Sequence, residues 1–223
     1  MIAWFCVGSR QMTKNVGNWL ALALVAPCAA TTAIASRLGD RNETFNFWAH
    51  VFALAPGLPG MYLRRAFYRW TLDDCAPDCF IGFGAVFTQR QVRIEPEAYI
   101  GPYSLIGGSV LRRGCLIGSR TSIVSGRNIH ELQPDGTWGP TRPGKLRPVD
   151  VGEHSWIGEA STLIADIGRG ALVGACSVVA APVPPGVMVA GNPARFVRVL
   201  QPPASSSAAS VEKVYAGGLR PVD

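Results

Sequence analysis

Between Cys75 and Val179 apolar residues return every six positions, and few folds tolerate such a period. Cys75, Ile81 and Phe87 begin it. Ile94, Ile100 and Ile106 follow, then Leu111, Ile117 and Ile123, then Val151, Ile157 and Leu163, and last Ile167, Val173 and Val179. Every step inside these five sets of three is six, whereas the steps between sets are 7, 5, 28 and 4. All the slack therefore falls at one corner of a three-sided coil. Six is not a multiple of the helical turn, and glycine follows many of the apolar positions (Gly82, Gly101, Gly107, Gly118, Gly152, Gly158, Gly168 and Gly174), a load that a helix does not carry. The period predicts a triangular parallel solenoid. Each six-residue unit is a short strand and a turn, and three units make a coil. Inward side chains stack in columns, and glycine allows tight backbone at the turns. An open end of such a coil needs covering, and helices at the N-terminal side can supply the cover.

The 28-residue step holds a histidine, His130, in SIVSGRNIHELQPDGTWGP (122–140). A periodic scaffold broken once, with a titratable side chain in the break, has the form of a site on a rigid frame. His154, in VGEHSWIG, falls at a turn of the repeat and reads as structural, and His50 reads as a packing or interface residue. Of the six cysteines, Cys75 and Cys79 are four apart with no second pair at metal spacing, so no metal site is predicted. Cys115 and Cys176 lie within apolar repeats and read as buried thiols.

Residues 1–72 read as an apolar helical segment, 73–200 as the repeat domain, and 201–223, beginning QPPASSSAAS, as a disordered tail. No charge occurs from Asn15 to Ser36, a run long enough to cross a bilayer, yet it holds Pro27, Thr31 and Thr32. Arg10 and Lys14 precede it and Arg37 and Arg41 follow, so the flanking charges set no orientation. A span, a helix or helical hairpin dipping into one leaflet, and a cap on the repeat domain all remain open. A second uncharged stretch, Thr44 to Leu63, is broken by Pro56, Gly57, Pro59 and Gly60 into a helix over about 45–55 and another from Met61. The latter mixes Arg64, Arg65 and Arg69 with Tyr62, Phe67, Tyr68 and Trp70, a composition suited to a membrane interface. The chain is 48% hydrophobic, 16% charged and carries a net +6, which fits an anionic ligand or an anionic membrane surface. It has no nucleic-acid motif and no basic block interleaved with aromatics, so nucleic acid is not an expected partner.

The pattern resembles the hexapeptide-repeat acyltransferases over about 75–198. The segments that carry the likeness are WIGEASTL (156–163), IGRGALVGACSVV (167–179) and VPPGVMVAGNPARFVR (183–198). HEL (130–132), followed by a glycine-containing loop and then WIG, is similar to the galactoside and maltose O-acetyltransferase branch. ALAPGLPGMYLRRAFYRWTL with CAPDCFIGFG resembles the subgroup of exopolysaccharide and colanic-acid biosynthesis. The resemblance implies a mainly β fold, a left-handed parallel β-helix of about five coils, with an N-terminal helical, membrane-associating segment.

It also implies chemistry: acetyl transfer from acetyl-coenzyme A to a hydroxyl of a saccharide or lipid-linked sugar, without a metal. His130 matches the family's general base, a role suited to a group that titrates near neutral pH. Glu131 adjoins His130 and is expected either to orient it or to bind acceptor hydroxyls, and Trp138, Arg142, Lys145 and Arg147 are expected to contact a sugar acceptor, a sugar phosphate or a neighbouring subunit. Glu159, Ala175, Ala180 and Ala181 match positions along the pantetheine arm, and Arg195 and Arg198 match the basic residues for the coenzyme phosphates. Ala180-Ala181 stand where the galactoside branch has Thr-Lys, which leaves only a backbone contact there. The family works as a homotrimer with its site between solenoids. A cytosolic coenzyme places the domain in the cytoplasm, at the inner face of the inner membrane if residues 1–72 bind lipid. The loop equally admits a different small acceptor, such as serine, an amino-sugar or an antibiotic, and a non-catalytic scaffold is the remaining alternative. A γ-type carbonic anhydrase needs three metal-binding histidines, and His50 lies outside the repeats.

Overall fold

The computed structural model describes residues 2–40, 42–125, 130–139 and 147–200, with backbone alone for 2–14. Three helices come first: α1 (Ile2–Arg37), α2 (Glu43–Ala53) and α3 (Gly57–Thr71). α1 is one helix that runs through Pro27, not a hairpin. α3 starts four residues ahead of the expected Met61, because Pro59 falls in its first turn, where a missing N–H has no intrahelical partner to lose.

Short parallel strands then wind a three-faced solenoid, as the period predicts. On the first face Cys75, Ile94, Leu111 and Val151 pair in register, and single bridges extend the column to Ile167 and Val183. The second face aligns Ile81, Ile100, Ile117, Ile157, Val173 and Val189, and the third aligns Phe87, Ile106, Ile123, Leu163 and Val179. All fifteen expected inward positions are buried. A partial sixth coil follows the five expected ones. Val179 to Val183 is another short step at the slack corner, and Val183 to Val189 is again six. The chain then reverses, and Arg195–Val199 pairs antiparallel to Val187–Ala190.

The glycines next to the columns do a different job from the one expected. A Cβ on Gly101 would lie 2.6 Å from the Ser119 nitrogen, and one on Gly118 would lie 2.7 Å from the Glu159 nitrogen. These glycines let successive coils approach. The left-handed turn positions fall elsewhere, at Glu97, Tyr103, Arg120, His154, Ala160 and Cys176 as well as at glycines. Cys176 is accordingly exposed at a corner and is not the buried thiol expected of it. Further inward positions at the corners hold small residues. They include buried Ser155, before the second face, and Ser177, before the third, whose hydroxyls donate to Gly152 O (2.7 Å) and Gly174 O (2.6 Å).

The helices close the first coil, and one apolar core runs from Val25 through Phe45, Phe67 and Tyr68 to Ile81 and Phe87. The Tyr68 and Phe87 rings meet at 4.5 Å. The expectation that Arg64 and Arg65 face a membrane does not hold. Arg64 is 2% exposed and donates to Ile81 O (3.1 Å), Phe52 O (3.4 Å) and Ala55 O (2.6 Å). Arg65 is buried and bonds Cys79 O (2.8 Å) and Asn18 Oδ1 (2.5 Å). Backbone carbonyls at the end of α2 and in the first coil need donors, and a long guanidinium reaches several at once.

Candidate active site

The break in the repeat is anchored at both ends on one corner of the coil below. Ser125, at the start, accepts from the Gly108 N–H through its Oγ (2.5 Å), and Val149, at the end, donates to Gly108 O (3.0 Å). Arg147 pairs with Asp166 (2.6 Å) where the chain returns and so props the corner. Arg142 and Lys145 lie outside the described residues.

Within the break, residues 130–139 form a hairpin. Leu132 and Trp138 bridge antiparallel, Gly136 N donates to Gln133 O (2.9 Å) and Gln133 N to Thr137 O (2.8 Å). The sequence QPDGT encodes this turn. Pro134 suits its second position, Asp135 Oδ1 accepts from Thr137 N (2.9 Å) and Oγ1 (2.7 Å), and Gly136 supplies φ 80°. Those hydrogen bonds hold the Asp135 carboxyl below its ordinary range.

His130 stands exposed at the base of the hairpin, with its Nδ1 2.8 Å from Gly139 O. A carbonyl only accepts, so in the neutral ring Nδ1 carries the proton and Nε2 keeps a lone pair. Gly139 N in turn donates to Glu131 O (2.8 Å), which locks the two arms together. Glu131 follows His130 on this arm, and Trp138 is 70% exposed on the opposite one.

A groove of about 850 Å³ runs along the outside of the second face. Its floor is a column of apolar side chains, Tyr99, Leu116, Trp156, Leu172 and Met188, and its edge is the turns Gly118–Ser119, Gly158–Glu159 and Gly174–Ala175. Each floor residue immediately precedes an inward residue of that face. The column continues outward to Phe80, which stacks on Tyr99 at 4.8 Å. An apolar floor with a backbone edge suits a linear ligand bearing amides.

About half of the chain matches curated proteins. Serine acetyltransferase of Escherichia coli (strain K12) is 36% identical over 121 residues, which cover 51% of this chain and 42% of that protein. WbbJ of the same strain, named for lipopolysaccharide biosynthesis O-acetyl transfer, is 27% identical over 124 residues, covering 52% and 62%. Over about half its length the chain is similar to these acetyltransferases. The chain spans less than half the length of the serine acetyltransferases of Escherichia coli that it matches. No protein-family model matches it. Among solved structures, a maltose O-acetyltransferase from Clostridium difficile 630 is 15% identical with a TM-score of 0.47, covering 73% of this chain and 88% of that one. A hexapeptide-repeat acetyltransferase of Vibrio cholerae, complexed with acetyl-coenzyme A, is 21% identical with a TM-score of 0.45, covering 72% and 89%.

In this hexapeptide-repeat solenoid the expected coenzyme residues do not all fall together. Glu159 and Ala175 edge the groove. Arg198 pairs with Met188 of the groove floor, and Arg195 pairs with Ala190, so both arginines sit at the last-coil end. Ala180 and Ala181 lie at the slack corner, away from the groove, with Ala180 next to Val179. His130 also leaves from the slack corner, and it does not line the groove. His154 occupies a left-handed turn (φ 52°) and donates its N–H to Arg113 O (3.0 Å), a structural position. Among the described residues no cluster of His, Cys, Asp and Glu is placed to hold a metal ion.

Proposed function

We propose that the chain moves an acetyl group from acetyl-coenzyme A to a hydroxyl of a saccharide, with His130 as general base. The observation that carries this reading is the bond from His130 Nδ1–H to Gly139 O, which leaves Nε2 as the proton acceptor on an exposed loop of an acetyltransferase solenoid. Nε2 takes the hydroxyl proton as the acceptor oxygen attacks the thioester carbonyl. The tetrahedral intermediate collapses and expels the coenzyme A thiolate. That thiolate recovers the proton from Nε2, so the products are the acetyl ester and the free thiol. The second-face groove receives the pantetheine arm, and Arg195 and Arg198 at its last-coil end meet the phosphates. Glu131 and Trp138 border the acceptor.

His130 and the groove leave different corners of one coil. This supports a homotrimer in which the histidine of one chain faces the groove of the next. A cytosolic donor puts the domain in the cytoplasm, and a saccharide acceptor, free or lipid-linked, fits a chain held at the inner face of a membrane. A second acceptor, serine, is favoured by the higher identity to serine acetyltransferases than to WbbJ.

The test is acceptor-dependent release of coenzyme A from acetyl-coenzyme A across a panel of free sugars, lipid-linked sugars and serine, for the wild type and His130→Ala. The proposal expects release with a saccharide and a loss of about 10²–10⁴ in the variant. Release with serine alone moves the acceptor to the second reading. Undiminished release in His130→Ala removes His130 as the base.

A further inference from the structure

We infer that α1 lies in the plane of an anionic membrane surface, with Trp19, Leu20, Leu24 and Ile34 sunk into it, and does not cross the bilayer. This deepens the membrane part of the reading above and stands independently of the acetyl transfer. The apolar part of α1, Asn15–Arg37, has a mean hydropathy of 1.7, but only 22% of its most apolar window is buried. One stripe faces the protein: Ala21, Val25, Ala29 and Thr32, spaced so that they share a side of the helix. The opposite side exposes Val16 (54%), Trp19 (73%), Leu20 (66%), Leu24 (70%) and Ile34 (57%). A helix with protein on one side and a continuous apolar face on the other presents that face to something apolar.

Contacts along its length decide between lying in a bilayer surface and crossing it. Arg65 bonds Asn18 (2.5 Å), Trp70 bonds Leu22 O (3.4 Å), Trp48 bonds Thr31 (2.9 Å) and Arg90 bonds Ser36 (3.2 Å). Asn18 to Ser36 is about 27 Å of helix, close to the whole hydrocarbon thickness. Arg65 and Arg90 are themselves fixed to Cys79 O and Thr71 O, so both ends of the apolar run are tied to the same folded body. A crossing helix would carry the first coil, with exposed Asp73, Asp74 and Asp78, to hydrocarbon depth. Pro27 points the same way. It lies near the middle of the run on the exposed side and leaves the Ala23 carbonyl without its helical donor. Bilayer-centre hydrocarbon cannot satisfy that carbonyl, whereas the interface can.

Charge selects lipid over a second copy of the chain. No acidic residue precedes Asp40, while Arg10, Lys14 and Arg37 lie on α1. Seven basic and two acidic residues precede Asp73, so five of the six net positive charges sit in the helical cap. Two such caps repel each other, and each is drawn to an anionic surface.

The test is flotation of the full chain with vesicles of phosphatidylcholine, alone or mixed with phosphatidylglycerol. Flotation is expected on the mixed vesicles, about tenfold weaker on neutral ones or in high salt, and reversed by alkaline carbonate. The triple variant Leu20→Glu, Leu24→Glu and Ile34→Glu, whose far-UV circular dichroism and coenzyme A binding are checked, is expected to lose flotation about tenfold or more. Failure of the wild type to float on mixed vesicles overturns the inference without recourse to any variant. Flotation that resists carbonate shows a crossing helix and overturns it too, as does flotation unchanged in the triple variant. Coenzyme A release is read separately, so a failed acetyl-transfer reading leaves this outcome untouched.

Discussion

Gly101 and Gly170 look alike in the sequence, but different constraints act on them. Gly101 has another coil's backbone where its Cβ would be, at 2.6 Å, whereas Gly170 has nothing within 4 Å but a φ of +62°. Gly101→Ala is therefore expected to cost about 1–3 kcal/mol by forcing coils apart, and Gly170→Ala only about 1 kcal/mol of backbone strain. Thermal melts of the two variants check the order. The sequence pattern located Gly101, next to a column, but not its role, and it passed over Gly170, which follows Arg169; a close approach and a positive φ select the same residue type. Cys115 allows a pH test. Burial pushes its thiol up to about 12 from an ordinary value of 9.0. A group whose folded pKa is raised gives its full stabilisation below its unfolded pKa and loses it as pH rises through the folded one. The wild type should thus lose stability between about pH 9 and 12, by up to about 1.4 kcal/mol per pH unit from this group. Cys115→Ala should flatten that slope in urea titrations at pH 8 and pH 10.5. An equal slope in both would remove Cys115 as its source.

Arg64 acts at the scale of elements, because it ties the end of α2 to α3 and to the first coil. Burial pulls its pKa down from the ordinary arginine value, and among the described residues no carboxylate pairs with it; its partners are three carbonyls. Arg64→Met removes the charge but leaves those carbonyls short of a donor, at an expected cost of about 3 kcal/mol, seen as a lower melting temperature. An unchanged melt would mean that the cap does not depend on this residue. From sequence, an arginine beside aromatics on a helix reads as interfacial, since nothing local announces carbonyls waiting some fifteen residues away. The columns of the solenoid, by contrast, were readable position by position, because inward and outward places alternate on a fixed period. The groove was readable by the same logic. The residues one before the inward positions of the second face, Phe80, Tyr99, Leu116, Trp156, Leu172 and Met188, are all apolar or aromatic, whereas Asp74, Arg93, Asp150 and Asp166 hold matching places on the first face, where Val110 is an apolar exception. The hairpin of the His130 loop was equally encoded in Pro134-Asp135-Gly136. The bond from His130 to Gly139 was not, because the hairpin must first fold to bring residues nine apart together.

In the proposed trimer the site is divided between chains, with His130 at the slack corner of one and the second-face groove, proposed for the coenzyme, on the next. Three chains standing side by side also present three caps at the same end, which multiplies a weak attraction to lipid. The most direct test of the account is co-expression of two inactive variants, His130→Ala and Ala175→Trp, the second filling the groove edge. Coenzyme A release is then read with the best acceptor. Random mixing leaves one site with both an intact histidine and an intact groove in each mixed trimer, so the account predicts recovery to about a quarter of the wild-type rate. No recovery above the separate variants, with trimers present, would contradict it.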